Sequence, residues 1–244
     1  MFFFDKRVIY IILAFCIFSM IANYVNDMNA LLKMLISIPG VLIAITFHEY
    51  AHALAAYKLG DDTSKKQGRL TLNPLKHIDP IGIIILLFLG IGWGKPVMVD
   101  GRNLKRNISY KKAEAIVSFA GPLANFIMAI FFTIIYALLV KFNVLENITY
   151  RAATVIISML IYTIMLNIGL GIFNLIPLPP LDGSKVLKVF LPYNVNRWLE
   201  ENESIFYMVF LGLWITGIAG MIITPIRDVL YDGIVNIVSA IFRI

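Results

Sequence analysis

The sequence predicts an all-α polytopic membrane protein with about five to six transmembrane helices. A short re-entrant or β-hairpin segment is expected after the second span, and an amphipathic helix at the C-terminus. Three observations carry this. Apolar residues make up 59% of the 244 positions and charged residues only 15%, with a mean hydropathy of +0.82; a water-soluble domain of this size is more highly charged. Several apolar runs reach the ~20 residues that cross a hydrocarbon layer. Between the runs stand short segments rich in Gly, Pro and basic residues, with none long or polar enough for a separate soluble domain. The chain therefore reads as one membrane-embedded domain over 1–244, with a core at 31–191 and peripheral helices over 1–30 and 203–244.

The formal net charge is +6. Nucleic acid is not the implied partner, because the basic residues gather in loops between apolar runs, as membrane orientation requires. The lipid bilayer is the partner that composition names, and oligomeric state is not legible. The single cysteine, Cys16, allows no intrachain disulfide.

In chain order, Asp5, Lys6 and Arg7 precede an apolar run at 8–25. Its length predicts a retained signal anchor, the first span, rather than a cleaved signal peptide. A polar turn at 26–29 leads to the second span, 31–57, where Pro39-Gly40 predicts a kink. Residues 58–79 are polar and carry five basic side chains. The apolar run 81–92 is too short to cross and predicts a re-entrant or interfacial segment. Gly92-Trp93-Gly94-Lys95-Pro96-Val97-Met98-Val99 predicts extended chain around a tight turn, since Gly and Pro break helices and Val favours strands. Full spans follow at 113–140 and 152–176, then a short helix at 184–191 stopped by Pro192, and a fifth full span at 204–224. From 226 onward Asp228, Asp232, Asn236, Ser239 and Arg243 form one polar stripe on an otherwise apolar helix, placed at the interface or on the bundle.

With the N-terminus in the cytoplasm and 81–92 returning to its own side, the basic segments 58–112 and 184–202 fall inside, while 141–151 falls outside. This satisfies the positive-inside rule and predicts a multi-pass membrane protein with its N-terminus and the active-site end of the bundle in the cytoplasm.

Inside the second span stand His48, Glu49 and His52, two of the chain's three histidines among them. Positions i and i+4 share a helix face, so both imidazoles reach one point. H-E-x-x-H on a helix offers two nitrogens to Zn²⁺ and sets a glutamate where it can take a proton from the attacking water. Ionisable groups at membrane depth are costly and mark function. Catalytic zinc takes three protein ligands. Asp182, just after Pro179-Pro180 on the same predicted side, is the third candidate; the alternative, an N-cap role, does not answer the need of His48 and His52. One Zn²⁺ per chain is expected, held by His48, His52 and Asp182, with Glu49 as general base. Asn174, eight residues before Asp182, either donates to substrate or oxyanion or makes an interhelical hydrogen bond. Asn125 poses the same choice. His77 lies among loop residues with nothing pairing it to the first site.

His48-Glu49-Tyr50-Ala51-His52, then Gly92 to Val97, then Asn174-Leu175-Ile176-Pro177-Leu178-Pro179-Pro180-Leu181-Asp182-Gly183 together resemble the site-2 protease family of intramembrane zinc metalloproteases, peptidase family M50. Gly68 to Pro80 is similar to its short bacterial members, without a PDZ domain. The resemblance implies a zinc site of His48, His52 and Asp182 with catalytic Glu49, assistance from Asn174, and cleavage of a transmembrane protein substrate within the bilayer. Met98 departs from relatives that carry a second proline there.

Two other classes use the same side chains. A metal-ion transporter also lines its path with His, Glu and Asp, but paired broken helices in two related halves are expected of one, and no internal repeat occurs. A catalytically silent membrane scaffold has no need of Glu49, which is present.

Overall fold

Three long helices form the body of the protein, and each begins where a side chain or a break in the apolar pattern allows. In this computed structural model the described residues are Phe18, 27–89, 94–105 and 108–244. The first expected span, 8–25, lies outside them apart from Phe18. Helix α1 is Met28–Lys58: Asp27 caps it by accepting from the Asn29 and Ala30 amides at 2.9 and 3.2 Å. The expected polar turn is thus narrower than 26–29, because Met28 and Asn29 already belong to the helix. α1 runs through Pro39 without ending.

A four-residue helix, α2 (Thr63–Lys66), and a ten-residue helix, α3 (Pro80–Leu89), follow. At about 15 Å, α3 is half the ~30 Å of a hydrocarbon core, so it does not cross. Residues 90–93 are outside the described set. From 94 to 100 the chain has no regular structure, and an isolated antiparallel bridge between Ile78 and Gly94 is what the described residues show in place of a β-hairpin.

Helices α4 (Tyr110–Lys141) and α5 (Tyr150–Leu175) match the expected third and fourth spans, extended by a turn or less. α1, α4 and α5 pack on one another. Small residues let their backbones approach, as in membrane bundles generally. Gly40 lies so close to α5 that a Cβ there would sit 3.0 Å from the Thr163 Cα. Ala129, Ile164 and Ile168 form a buried core, against which Phe126, Phe132, Tyr231 and Ile234 pack. Large apolar side chains such as Leu123, Ile127, Phe131 and Ile156 face outward, a surface that suits lipid better than water.

The C-terminal third corrects the sequence reading. The helix expected at 184–191 is α6, Asp182–Leu187. It stops early because Asn196 ties down the chain behind it, donating to the Lys188 and Leu191 carbonyls. The polar segment before Glu203 is itself a helix, α7 (Tyr193–Glu201). The fifth span, expected as one helix over 204–224, is broken into α8 (Glu203–Ile215) and α9 (Ile218–Phe242), bent by 72°. Gly217 causes the break: its φ of +77° is left-handed, and its amide closes α8 on the Trp214 carbonyl. The polar-striped helix expected from 226 onward therefore begins at Ile218, and it packs on α4 and α5. Among the described residues, three helices are long and apolar enough to cross a membrane, and the bent α8–α9 pair makes a fourth if counted as one span.

Candidate metal and catalytic centre

The site forms where α1 meets the first turn of α6. His48 and His52 lie one turn apart on α1, both over nine-tenths buried, with ring centroids 4.5 Å apart and planes at 88°. Their Nε2 atoms approach to 3.0 Å. Asp182 comes from a segment 130 positions beyond His52, after α5 has ended before Pro177 and the chain has passed through cis Pro179–Pro180. Its Oδ2 lies 3.2 Å from each Nε2. Leu181, not Asp182, occupies the N-cap position of α6, so the carboxylate is turned to the histidines rather than to its own helix. Gly183 permits this turn: a Cβ there would sit 2.3 Å from the Leu175 carbonyl oxygen.

The far ring nitrogens settle the protons. His52 Nδ1 donates to the Val117 carbonyl at 2.7 Å, and a carbonyl can only accept. His48 Nδ1 donates to Asn125 Oδ1 at 2.7 Å. With Nδ1 carrying a proton on each ring, the neutral form of each imidazole presents its Nε2 lone pair, and the two Nε2 atoms converge with a carboxylate oxygen. In that neutral form three acceptors within 3.2 Å repel one another unless a cation joins them. Tetrahedral zinc at its usual bond lengths sets ligand atoms about 3.3 Å apart, close to the 3.0–3.2 Å here. The residues fit the metal.

Room for it comes from α4. The Gly121 backbone faces both rings, and a Cβ would fall 2.4 Å from His52 Nε2 and 2.7 Å from His48 Cε1.

Glu49 projects toward the loop 94–100. A Cβ on Gly94 would sit 3.0 Å from Glu49 Oε1, and the Val97 amide faces its carboxylate. A platform of polar contacts fastens this loop. The Lys95 amide donates to the His77 carbonyl at 2.7 Å. Arg69 donates to the Lys76 carbonyl and, at 3.3 Å, to that of Lys95. Ser64 donates to the Met98 carbonyl at 2.9 Å, and the Asp100 amide donates to Asp61 at 2.7 Å. Burial acts to raise the Asp61 carboxyl; hydrogen bonds from Thr63, Asp100 and Asn103 together outweigh it and hold the group below the usual carboxylate range. Burial lowers His77, with Arg69 adding to the effect against a bond to Thr71.

Of the residues singled out from sequence, His48, His52 and Asp182 meet at one point. Glu49 lies beside them. Asn174 donates to the Leu170 carbonyl of its own helix at 3.0 Å. Asn125 touches His48 directly. His77 serves the loop platform, through its Nε2 on the Thr71 carbonyl and its own carbonyl. Sequence reasoning passed over Gly121, Arg69 and Asn167. Asn167 accepts from Asn125 at 3.0 Å; its one signal was an amide in an apolar span, two turns before Asn174.

The sequence profile described as peptidase family M50 matches residues 36–217. The chain is 38% identical over 203 residues to the Bacillus subtilis protein named "Putative zinc metalloprotease YwhC", covering 83% of this chain and 90% of that one. It is 26% identical to the Mycolicibacterium smegmatis "Putative zinc metalloprotease Rip2", over 80% of this chain and 72% of the other. To the Methanocaldococcus jannaschii "Putative zinc metalloprotease MJ0611" it is 24% identical, over 86% and 96%. No solved structure matches it.

Proposed function

The chain belongs to peptidase family M50, and from that premise we propose that it is an intramembrane zinc metalloprotease, hydrolysing peptide bonds in or near transmembrane segments of other membrane proteins. The observation that carries the reading is the convergence of two imidazole lone pairs and a carboxylate oxygen beside Glu49, in a bundle whose helices are apolar enough to lie in lipid. The names of the relatives support the metal and the activity.

His48, His52 and Asp182 hold the ion. Zinc supplies a Lewis acid that polarises the scissile carbonyl and acidifies water. Glu49 takes the proton of the attacking water as its oxygen bonds to the carbonyl carbon, then passes that proton to the amine nitrogen as the carbon–nitrogen bond breaks. Asn174 is assigned to hold the substrate backbone or the developing oxyanion, through the second Nδ2 hydrogen beside the one given to the Leu170 carbonyl.

A substrate helix hides its peptide bonds in its own hydrogen bonds, so it has to unwind first. The loop 94–100 is fastened through Lys95, Met98 and Asp100 and runs past Glu49, which suits it to receive an unwound segment as an added strand. The basic residues Lys65, Lys66, Lys76 and Lys95 lie in the segments that build this end of the protein. On the positive-inside rule this end is cytoplasmic, as is the N-terminus, in a cell membrane.

The test is reconstitution into bilayers with a set of single-span substrates, comparing the parent with Glu49→Gln. The variant is expected to keep one zinc per chain and lose cleavage by at least about a hundredfold. Cleavage at the parental rate removes Glu49 from the reaction, and a parent without zinc overturns the metal assignment.

A further inference from the structure

Two buried amides sit behind the ligand His48 and belong to no part of the chemistry above. Asn125 on α4 and Asn167 on α5 are both fully buried. The Asn125 amide has its two N–H groups committed: Nδ2 donates to the Ala44 carbonyl at 3.0 Å and to Asn167 Oδ1 at 3.0 Å. Asn167 is anchored in turn, donating to the Thr163 carbonyl at 2.8 Å. Turning the Asn125 amide over would set its oxygen against two acceptors. Only the oxygen is therefore left for His48, and it lies 2.7 Å from Nδ1.

We infer that Asn125, held by Asn167, is a positioning residue that fixes His48 as its Nδ1–H tautomer and so aims the Nε2 lone pair at the metal position. The inference rests on the zinc reading above. It also separates the two histidines. His52 is oriented by the Val117 carbonyl, which no substitution removes, whereas the orientation of His48 depends on side chains. The relay touches all three long helices, from Ala44 on α1 through Asn125 on α4 to Asn167 and Thr163 on α5. The geometry of one ligand is thus tied to the seating of α5, the helix that leads to Asp182.

Buried amides also join membrane helices with no bearing on a metal, and the variants distinguish the two roles. Asn125→Leu removes the acceptor at His48. Asn125→Asp keeps an acceptor oxygen there while giving up both donated bonds. Asn167→Leu leaves the acceptor but frees the amide to turn. The full chain, purified in lipid nanodiscs, is titrated with zinc against a chromophoric chelator. Thermal unfolding of the metal-free form and the visible spectrum of the Co²⁺-loaded form are read alongside.

Loss of a partner behind a ligand typically weakens metal binding about 10–100-fold. That loss is expected for Asn125→Leu, with a changed Co²⁺ spectrum. Asn125→Asp is expected to stay within about threefold of the parent even if its metal-free form melts lower. Asn167→Leu should fall between them. Zinc affinity within about threefold of the parent in Asn125→Leu overturns the inference, as does equal weakening in Asn125→Asp. If Asn125→Leu does not fold, parental affinity and spectrum in Asn167→Leu overturn it instead. A parent that binds no zinc refutes the metal reading before any variant is compared.

Discussion

Gly121→Ala tests the site geometry at its tightest point. The added Cβ would lie 2.4 Å from His52 Nε2, 2.6 Å from its Cε1 and 2.7 Å from His48 Cε1. Unbonded carbon atoms settle at about 3.5–4.0 Å, so the methyl group overlaps both rings by roughly 1 Å. His52 has little freedom to yield, because its Nδ1 is tied to the Val117 carbonyl one turn earlier on the same α4. Overpacking of this kind costs about 1–3 kcal/mol where the surroundings can relax. Here relaxation means withdrawing a ligand nitrogen, which should weaken zinc binding by more than the 10–100-fold typical of disturbing a residue behind a ligand. The assay is zinc content after dialysis against a chelator, followed by competition titration. Gly212→Ala is the control, because a Cβ at Gly212 meets nothing within 4 Å. Parental zinc affinity and cleavage in Gly121→Ala would refute the close approach of α4 to the rings, and with it the single point at which the three ligands meet.

Two further predictions concern the loop beside Glu49. Arg69→Ala removes the donor that bridges the Lys76 and Lys95 carbonyls. Leaving such groups unpaired costs about 1–3 kcal/mol; hydrogen exchange at 94–100 should quicken and cleavage fall, with zinc content unchanged, and unaltered exchange would sink the clamp. The second is a pH dependence. The folded state lowers the His77 pKa, so its contribution to stability is whole above the unfolded value of about 6.5 and drains away as pH falls below it. Asp61, also lowered, adds a second loss as pH falls below about 3.9. Protection at 94–100, taken relative to the intrinsic exchange rate at each pH, should fall below about pH 6.5, less steeply in His77→Asn, and an identical profile in that variant would assign the change elsewhere.

The three residues that could hold a metal were legible because they rest on local rules. His48 and His52 meet through helix periodicity alone, and Asp182 stands out as a charge after a Pro-Pro break in an apolar stretch. The membrane class follows from composition, and the limits of α4 and α5 from where apolar runs meet polar ones. The break at Gly217 was missed because 204–224 is apolar on both sides of it, so hydropathy registers one span where a left-handed glycine makes two helices. Helix α7 was missed for a different reason: its nine residues carry a helical period, with Val195, Trp198 and Leu199 set among polar side chains, but so short a polar stretch after Pro192 reads as a connection.

What the linear chain determined by itself was the chemistry on offer: two imidazoles and a carboxylate that could hold a metal, a second carboxylate next to the first imidazole, and a setting among apolar helices. What only the tertiary structure decided was orientation. Asn125 reaches His48 across 77 positions, and the Asn125–Asn167 contact spans 42. The clamp on the loop joins Ser64 to Met98 across 34 positions and Asp61 to Asp100 across 39. Such pairs follow from how α1, α4 and α5 pack, through close approaches such as Gly40 on Thr163 and Gly121 on the histidines. Spacing along a chain records the period of one helix; it holds no information on which faces of two helices meet, and that choice decides where a lone pair points.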